Sequence, residues 1–311
     1  MRKELLDSKK KSAKKLRVCM FDNCNKTAIK SHVLQKNGIL REISVNNHLI
    51  QPLPPSPFET ENKGVFDFKK IGVNDVYTFK GFCKEHDNDL FEVIESNENL
   101  NFDNEEQKAL LSYRGLCQEI RRKEIAHEWL SDVIKACPIQ SIHMMQSTML
   151  GYKHGIENLT YFKTEFEKAI KSNDFSSFVL RTIKIPKIEL CISVPLNIDD
   201  NKGIDKIPYT TSFINVFPKN NTCYIIAGFH KDYKCNWTNK FLKNISTGKR
   251  KIIFKELSDL VTTRLEFWTM SPNLFNKISD KNIKKYKKLF TDNLFNHSQS
   301  LKTELNLFRH I

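Results

Sequence analysis

Four residues of this chain have the types and spacing to bind a soft metal ion. Cys19 and Cys24 stand in "CMFDNC", with four residues between them, and Cys83 and His86 stand in "CKEH", with two between them. The first pair can present two thiolates from a short knuckle. The second has the spacing that lets both side chains converge within one helical turn. Together they make a Cys3His set, which suits tetrahedral zinc in a closed, structural site. The alternative is two unrelated groups of thiols and a surface histidine. The gap between Cys19 and Cys24 is wider than the common C-x-x-C, and about sixty residues separate the two pairs.

The sequence around these residues has an order of its own. The first pair precedes β-type sequence and the second opens a helical stretch, so knuckle, strands and ligand-bearing helix follow one another as in a treble-clef zinc module. Ser31 and His32 lie between the pairs in "KSH", and Asp87 directly follows His86. On these motifs residues 19–95 resemble the HNH (ββα-metal) nucleases. The resemblance implies a structural zinc at Cys19, Cys24, Cys83 and His86. It implies His32 as the base that takes a proton from water attacking a phosphodiester. It implies Asp87 as a ligand of a catalytic Mg2+ or Mn2+ that stabilises the leaving oxygen. The chain departs from the family at two places. Ser31 stands where a metal-ligating acid or histidine is usual, and Thr78 falls near the position of the family's asparagine. A structural role for His32, bonded to the knuckle backbone or as an alternative zinc ligand, is the other reading. The segments "CMFDNCNKTAIKSH", "FKGFCKEHDNDLFEVIE", "YRGLCQEIRRKE" and "LEFWTMSP", in this order, are also similar to an uncharacterised bacterial family with an N-terminal zinc motif. Some genes of that kind lie near mobile elements or phage-defence systems, which implies a place in antiviral defence.

The elements that must position these residues read as an α+β protein. A basic tail (1–17) precedes a small zinc module (18–100), a helical region (101–173) and an α+β C-terminal part (174–311). "ILREISVNNHLI" suggests a hairpin around Asn46-Asn47, and the prolines of "PLPPSP" a rigid loop. "GVFDFKKIGVNDVYTFKGF" alternates as one or two strands. From Asn104 to Ala136 a stripe of Leu110, Tyr113, Leu116, Cys117, Ile120 and Ile125 predicts a long helix. A second runs from Ile139 to Lys171, with Gly151 and Gly155 as breaks, and with Met144, Met149, Phe162 and Phe166 as core. "FSSFVLRTIKIPKIELCISVPLNI" and "TSFINVFPKNNTCYIIAGFH" read as strands, the second a hairpin turned at Lys219-Asn220-Asn221. From Trp237 onward the chain reads as helical, with Ser271 opening a helix.

Composition bounds the function. The 311 residues can bury a substantial core, and with no run of eighteen apolar residues no membrane span is expected. The basic N-terminus lacks the apolar core of a secretory signal. Eight cysteines without such a signal suggest a reducing, cytoplasmic setting, where Cys117, Cys137, Cys191, Cys223 and Cys235 are ordinary buried thiols. The net charge of +14 points to a polyanion, DNA or RNA, with a protein partner as the alternative. The charge is segregated: residues 87–107 are acidic, and lysines gather in "NKFLKNISTGKRKIIFK" and "KISDKNIKKYKKLF". The aromatics among those lysines, Tyr233, Trp237, Phe241, Tyr286 and Phe290, read first as core. Arg114, Glu119, Arg121, Arg122 and Lys123 on the long helix form a solvated face, or else contact the zinc module or phosphate. "STGKRK" lacks the leading glycine of a P-loop, and no Ser-His-Asp order or dinucleotide fingerprint is present.

Overall fold

Antiparallel pairing joins distant parts of the chain into one seven-stranded sheet. The computed structural model describes residues 2–53, 66–96, 100–136, 142–197, 207–293 and 302–309. Its strands are β1 (Lys30–His32), β2 (His48–Leu53), β3 (Asp67–Gly72), β4 (Thr78–Lys80), β5 (Phe178–Pro186), β6 (Leu190–Asn197), β7 (Thr211–Lys219), β8 (Thr222–His230) and β9 (Thr269–Met270). The large sheet has the order β3-β2-β9-β6-β7-β8-β5, and β1 pairs separately with β4. The helices are α1 (Arg2–Lys14), α2 (Lys84–Glu95), α3 (Glu105–Ala136), α4 (Ile142–Ser172), α5 (Asn236–Thr247), α6 (Arg250–Thr263), α7 (Pro272–Asn276) and α8 (Asp280–Asn293). The α+β class follows directly.

Side-chain alternation along the strands explains the layers. In β7, Phe213 and Phe217 enter one core with α3, α4 and the N-terminal segment, while Ile214 and Val216 enter a second core with α5, α6 and α8. Both faces of the sheet are therefore covered, so its central strands read as nearly continuous apolar runs and not as a polar/apolar alternation. The β5 strand forms one end of the sheet.

Helix α3 lies very close to β6. A side chain at Gly115 would place its first carbon 2.4 Å from Ser193 Oγ and 3.2 Å from the Ser193 backbone carbon. Around this contact Asn215 Nδ2 donates to Ser112 Oγ (3.1 Å), and Ser193 Oγ donates to Asn215 Oδ1 (2.8 Å). Tyr77, ahead of β4, is fully buried; its hydroxyl donates to the Phe267 carbonyl (3.2 Å) and accepts from the Ser193 amide (3.1 Å). The segment carrying Cys83 and His86 is thereby tied to the sheet.

Several sequence expectations change. The run before Asn46 is not a strand: Lys36–Leu40 forms a π-helical turn. Asn46 and Asn47 do form a tight turn, with φ of 50° and 57° and reciprocal 3.0 Å bonds between Val45 and His48, but the strand that follows pairs forward with β3. Neither Gly151 nor Gly155 breaks α4, and Met149 is only half-buried, whereas Phe162 and Phe166 are core. The C-terminal part is not wholly helical, because β9 pairs with both β2 and β6. The expected tail folds as α1 and lies against α3, with Ser8 Oγ donating to Asp132 (3.0 Å) and Lys9 over the Trp129 ring. The "PPSP" of the proline loop, Cys137 and Pro138 lie outside the described residues, as does the side chain of Met144.

Two of the α-helical glycines, Gly115 and Gly151, separate packing from propensity. Gly115→Val should destabilise the fold by about 1–3 kcal/mol, through overpacking against Ser193. Gly151→Ala, whose added carbon meets nothing within 4 Å, should leave stability unchanged or raise it by up to about 1 kcal/mol. Urea denaturation of both variants measures the contrast.

Candidate metal centre

The knuckle begins as a miniature hairpin. Val18 bridges Thr27, the Cys19 amide donates to the Lys26 carbonyl (2.8 Å), and the Cys24 amide to the Phe21 carbonyl (3.2 Å). Asn23 makes the reversal at φ 59°, a conformation asparagine tolerates better than most side chains. Two further bonds lay the knuckle on the end of β4: Met20 N–H to the Gly81 carbonyl (2.8 Å) and Ile29 N–H to the Phe82 carbonyl (2.7 Å). Beyond them β1 pairs with β4, with Ser31 opposite Phe79 and His32 opposite Thr78. Cys83 then takes the position just ahead of α2, so His86 falls in its first turn.

This path brings the four expected ligands to one point. Cys19 Sγ lies 3.4 Å from His86 Nδ1, Cys83 Sγ 3.5 Å from the same nitrogen, and Cys24 Sγ 3.9 Å from Cys83 Sγ. All four ligand atoms lie within 4.8 Å of one another. Tetrahedral zinc with ordinary bond lengths requires roughly 3.8 Å between sulfurs and roughly 3.6 Å between nitrogen and sulfur. The cluster matches that shape and can hold a metal ion such as zinc. The alternative of unrelated thiols is thus set aside by position.

The electrostatics of the thiols follow from their surroundings. Burial pushes the Cys19 thiol up to about 11, although the backbone amides of Cys83 and Phe21 work against this. The Lys26 amide lowers the half-buried Cys24 thiol by hydrogen bonding. Backbone amides aimed at sulfur favour thiolate, the form that binds metal. The other described cysteines, Cys117, Cys191, Cys223 and Cys235, are buried in the cores.

Two arginines of α3 fasten the centre to the rest of the molecule. Arg121 donates from Nε to the Lys80 carbonyl (2.9 Å) and from Nη2 to the Val18 carbonyl (3.0 Å), bridging the knuckle and β4. Arg114 donates from Nη2 to Asp87 Oδ1 (3.0 Å), pairs with Glu95 through Nη1, and lies over the Phe91 ring. Its side chain is 3% exposed. On the far side of the knuckle, Lys171 of α4 pairs with Asp22 (2.7 Å), and the Asp22 amide donates to buried Glu167 (3.2 Å). Of the two readings of the α3 cations, Arg114 and Arg121 take the contact to the metal-binding segment. The sequence reading grouped them with three neighbours and did not separate them, yet a signal existed. Arg114 follows Leu110 by four residues and Arg121 follows Cys117 by four, which places both beside the apolar stripe.

The two residues assigned to catalysis are also placed. His32 is half-buried, and its Nε2 lies 2.9 Å from the Val73 carbonyl. A carbonyl only accepts, so Nε2 carries the proton and Nδ1 keeps its lone pair. Burial pushes the His32 pKa down, the Val73 carbonyl offsetting part of the effect, so the ring is neutral at pH 7. Asp87 is held by Arg114. Ser31 is 1% exposed and its hydroxyl has no partner among the described residues. Thr78 Oγ1 donates to the Asp75 carbonyl (2.7 Å). No protein-family model, curated protein or solved structure matches the chain.

Elemental analysis of the purified protein should find about one zinc per chain, and Cys83→Ser should lose it, with a lower melting temperature and greater protease sensitivity near the N-terminus. Arg114→Ala should cost about 3 kcal/mol in denaturant unfolding, since it leaves Asp87 and Glu95 without their cation.

Proposed function

We propose that this chain is a zinc-stapled nucleic-acid-binding protein whose N-terminal segment is a treble-clef module of HNH-like layout. The observation that carries this reading is the Cys3His cluster built from a knuckle, a two-stranded antiparallel ribbon and a helix N-terminus, with ligand separations that suit zinc. The zinc is structural: four protein ligands fill a tetrahedron and leave no position for substrate. The +14 charge supplies the affinity for a polyanion.

A second reading, metal-dependent cleavage of the bound strand, has one specific observation in its favour. His32 is oriented by a backbone carbonyl through one nitrogen and keeps the other basic, as a general base requires. Against it, the Asp87 carboxylate that would reach Mg2+ or Mn2+ is held by Arg114, and Ser31 offers a neutral hydroxyl where an anionic ligand is expected. Binding without cleavage is therefore the better-supported function.

Fluorescence anisotropy with labelled DNA and RNA should show binding that weakens steeply between low and moderate salt; no binding at low salt would refute the nucleic-acid reading. In plasmid-nicking assays with added Mg2+ or Mn2+, the binding reading gives no product. If product forms, His32→Ala should abolish it, and the depressed pKa of His32 should let cleavage persist to lower pH than an ordinary imidazole would allow.

A further inference from the structure

The cations nearest the zinc centre are largely neutralised. Arg17 forms a two-pronged pair with Glu128 (2.7 and 2.8 Å), Lys26 pairs with Glu85 (3.0 Å), Lys30 with Asp75, and Arg114 with Asp87 and Glu95. A polyanion seeking unpaired positive charge must look elsewhere on the surface.

One groove meets that need. It lies between the edge strand β5 and helix α5 and has a volume of about 820 Å³. Arg181 from β5, Lys231 and Lys234 from the turn after β8, and Lys243 from α5 line it, and among the described residues no acidic side chain does. None of these four cations makes an ion pair or a side-chain hydrogen bond among the described residues. Asp232, on the same turn as Lys231, is directed toward His230 (3.9 Å) and does not line the groove. On α5, Asn239, Lys243 and Ser246 recur at helical spacing and present one polar row to the groove. Exposed Lys249 and Lys251 follow just beyond the end of α5.

The floor indicates how a ligand would be read. Phe229 and Leu242 line the groove but are 5% and 4% exposed, so neither ring nor chain is presented for stacking on a base. A groove with unpaired cations on its walls and no aromatic platform recognises backbone phosphates and not base edges.

We propose that the groove between β5 and α5 is the track for the phosphate backbone of a nucleic-acid strand, bound without sequence preference. The inference rests on the nucleic-acid reading above and assigns its location. Arg181, Lys231, Lys234 and Lys243 neutralise successive phosphates, and Asn239 donates to a phosphate oxygen.

The test is anisotropy at several salt concentrations with labelled single-stranded DNA, single-stranded RNA and duplex DNA, on three proteins. These are wild type, the groove variant Lys231→Gln/Lys234→Gln/Lys243→Gln, and a control of equal charge change on α8, Lys281→Gln/Lys284→Gln/Lys288→Gln. All six lysines reach the surface, and unchanged circular dichroism and melting temperature will show that the folds are intact. The groove variant should bind about tenfold or more weakly, and its slope of log K against log salt should fall by about two, since each lost phosphate contact removes about 0.7–0.9. The control should retain most of the wild-type slope. Affinity should not depend on base composition. Equal losses in both variants, or an unchanged groove variant, would overturn the groove while leaving nucleic-acid binding intact. Wild type that binds no probe at low salt would overturn both. Polyglutamate competing as well as the oligonucleotides would overturn a phosphate ligand in favour of an acidic chain.

Discussion

Three thiols and one imidazole, drawn from parts of the chain about sixty residues apart, have to meet at one point, and the N-terminal architecture is organised around that meeting. The local secondary structure is too slight to enforce it. The pairing of β1 with β4 is three residues long on each strand, and so short a ribbon is marginal in water without further support. A metal ion held by the four ligands would supply that support and would make the fold depend on the ion, because ligands separated so widely hold no geometry in the unfolded chain. The segment inserted between β1 and β4 is free to do something different: its β2–β3 hairpin leaves the metal-binding segment and extends the large sheet.

The second source of support is α3. One helix contributes Tyr113, Leu116 and Cys117 to the core, Gly115 to a close approach on β6, and Arg114 and Arg121 to the metal-binding segment. Burying two guanidinium groups is costly unless their donors are satisfied. Arg121 meets backbone carbonyls of the knuckle and β4 together with Glu124, and Arg114 meets two carboxylates of α2, its Nε alone finding no partner among the described residues. Asp87, the acidic residue that sequence resemblance suggests for a catalytic cation, is one of these two carboxylates. It helps fix α2, and with it Cys83 and His86, against α3.

Much of this was legible in the residues. The ligand set followed from cysteine and histidine spacing, because metal coordination demands few residue types and the helical turn fixes how "CKEH" can converge. The long helices followed from their apolar stripes, and the β5–β8 strands from their Val, Ile and Phe content. What escaped was set by tertiary contact. A two-residue strand such as β9 has no period to detect, yet it joins β2 to β6. Gly151 and Gly155 are tolerated because a helix of 31 residues absorbs two weak positions. The run before Asn46 has strand-like composition but no partner strand, so local helical turns win. For His32, the sequence showed a histidine beside the knuckle but not the Val73 carbonyl that decides which nitrogen is free.

Net charge alone distinguishes poorly between a solvated lysine-rich surface and a binding face, and the difference lies in pairing. Around the metal-binding segment positive groups meet carboxylates, and the local field is taken up in holding the chain folded. Along the β5–α5 groove Arg181, Lys231, Lys234 and Lys243 share no acidic neighbour in its lining among the described residues. Such a concentration of like charge repels itself and destabilises the compact state unless it is screened or occupied. A bound phosphate backbone would relieve that repulsion by contributing the missing negative charge, and counterion release would add to the affinity. The unpaired cations of the groove and the paired cations of the metal end therefore have different physical consequences, although the sequence presents both as the same excess of lysine and arginine.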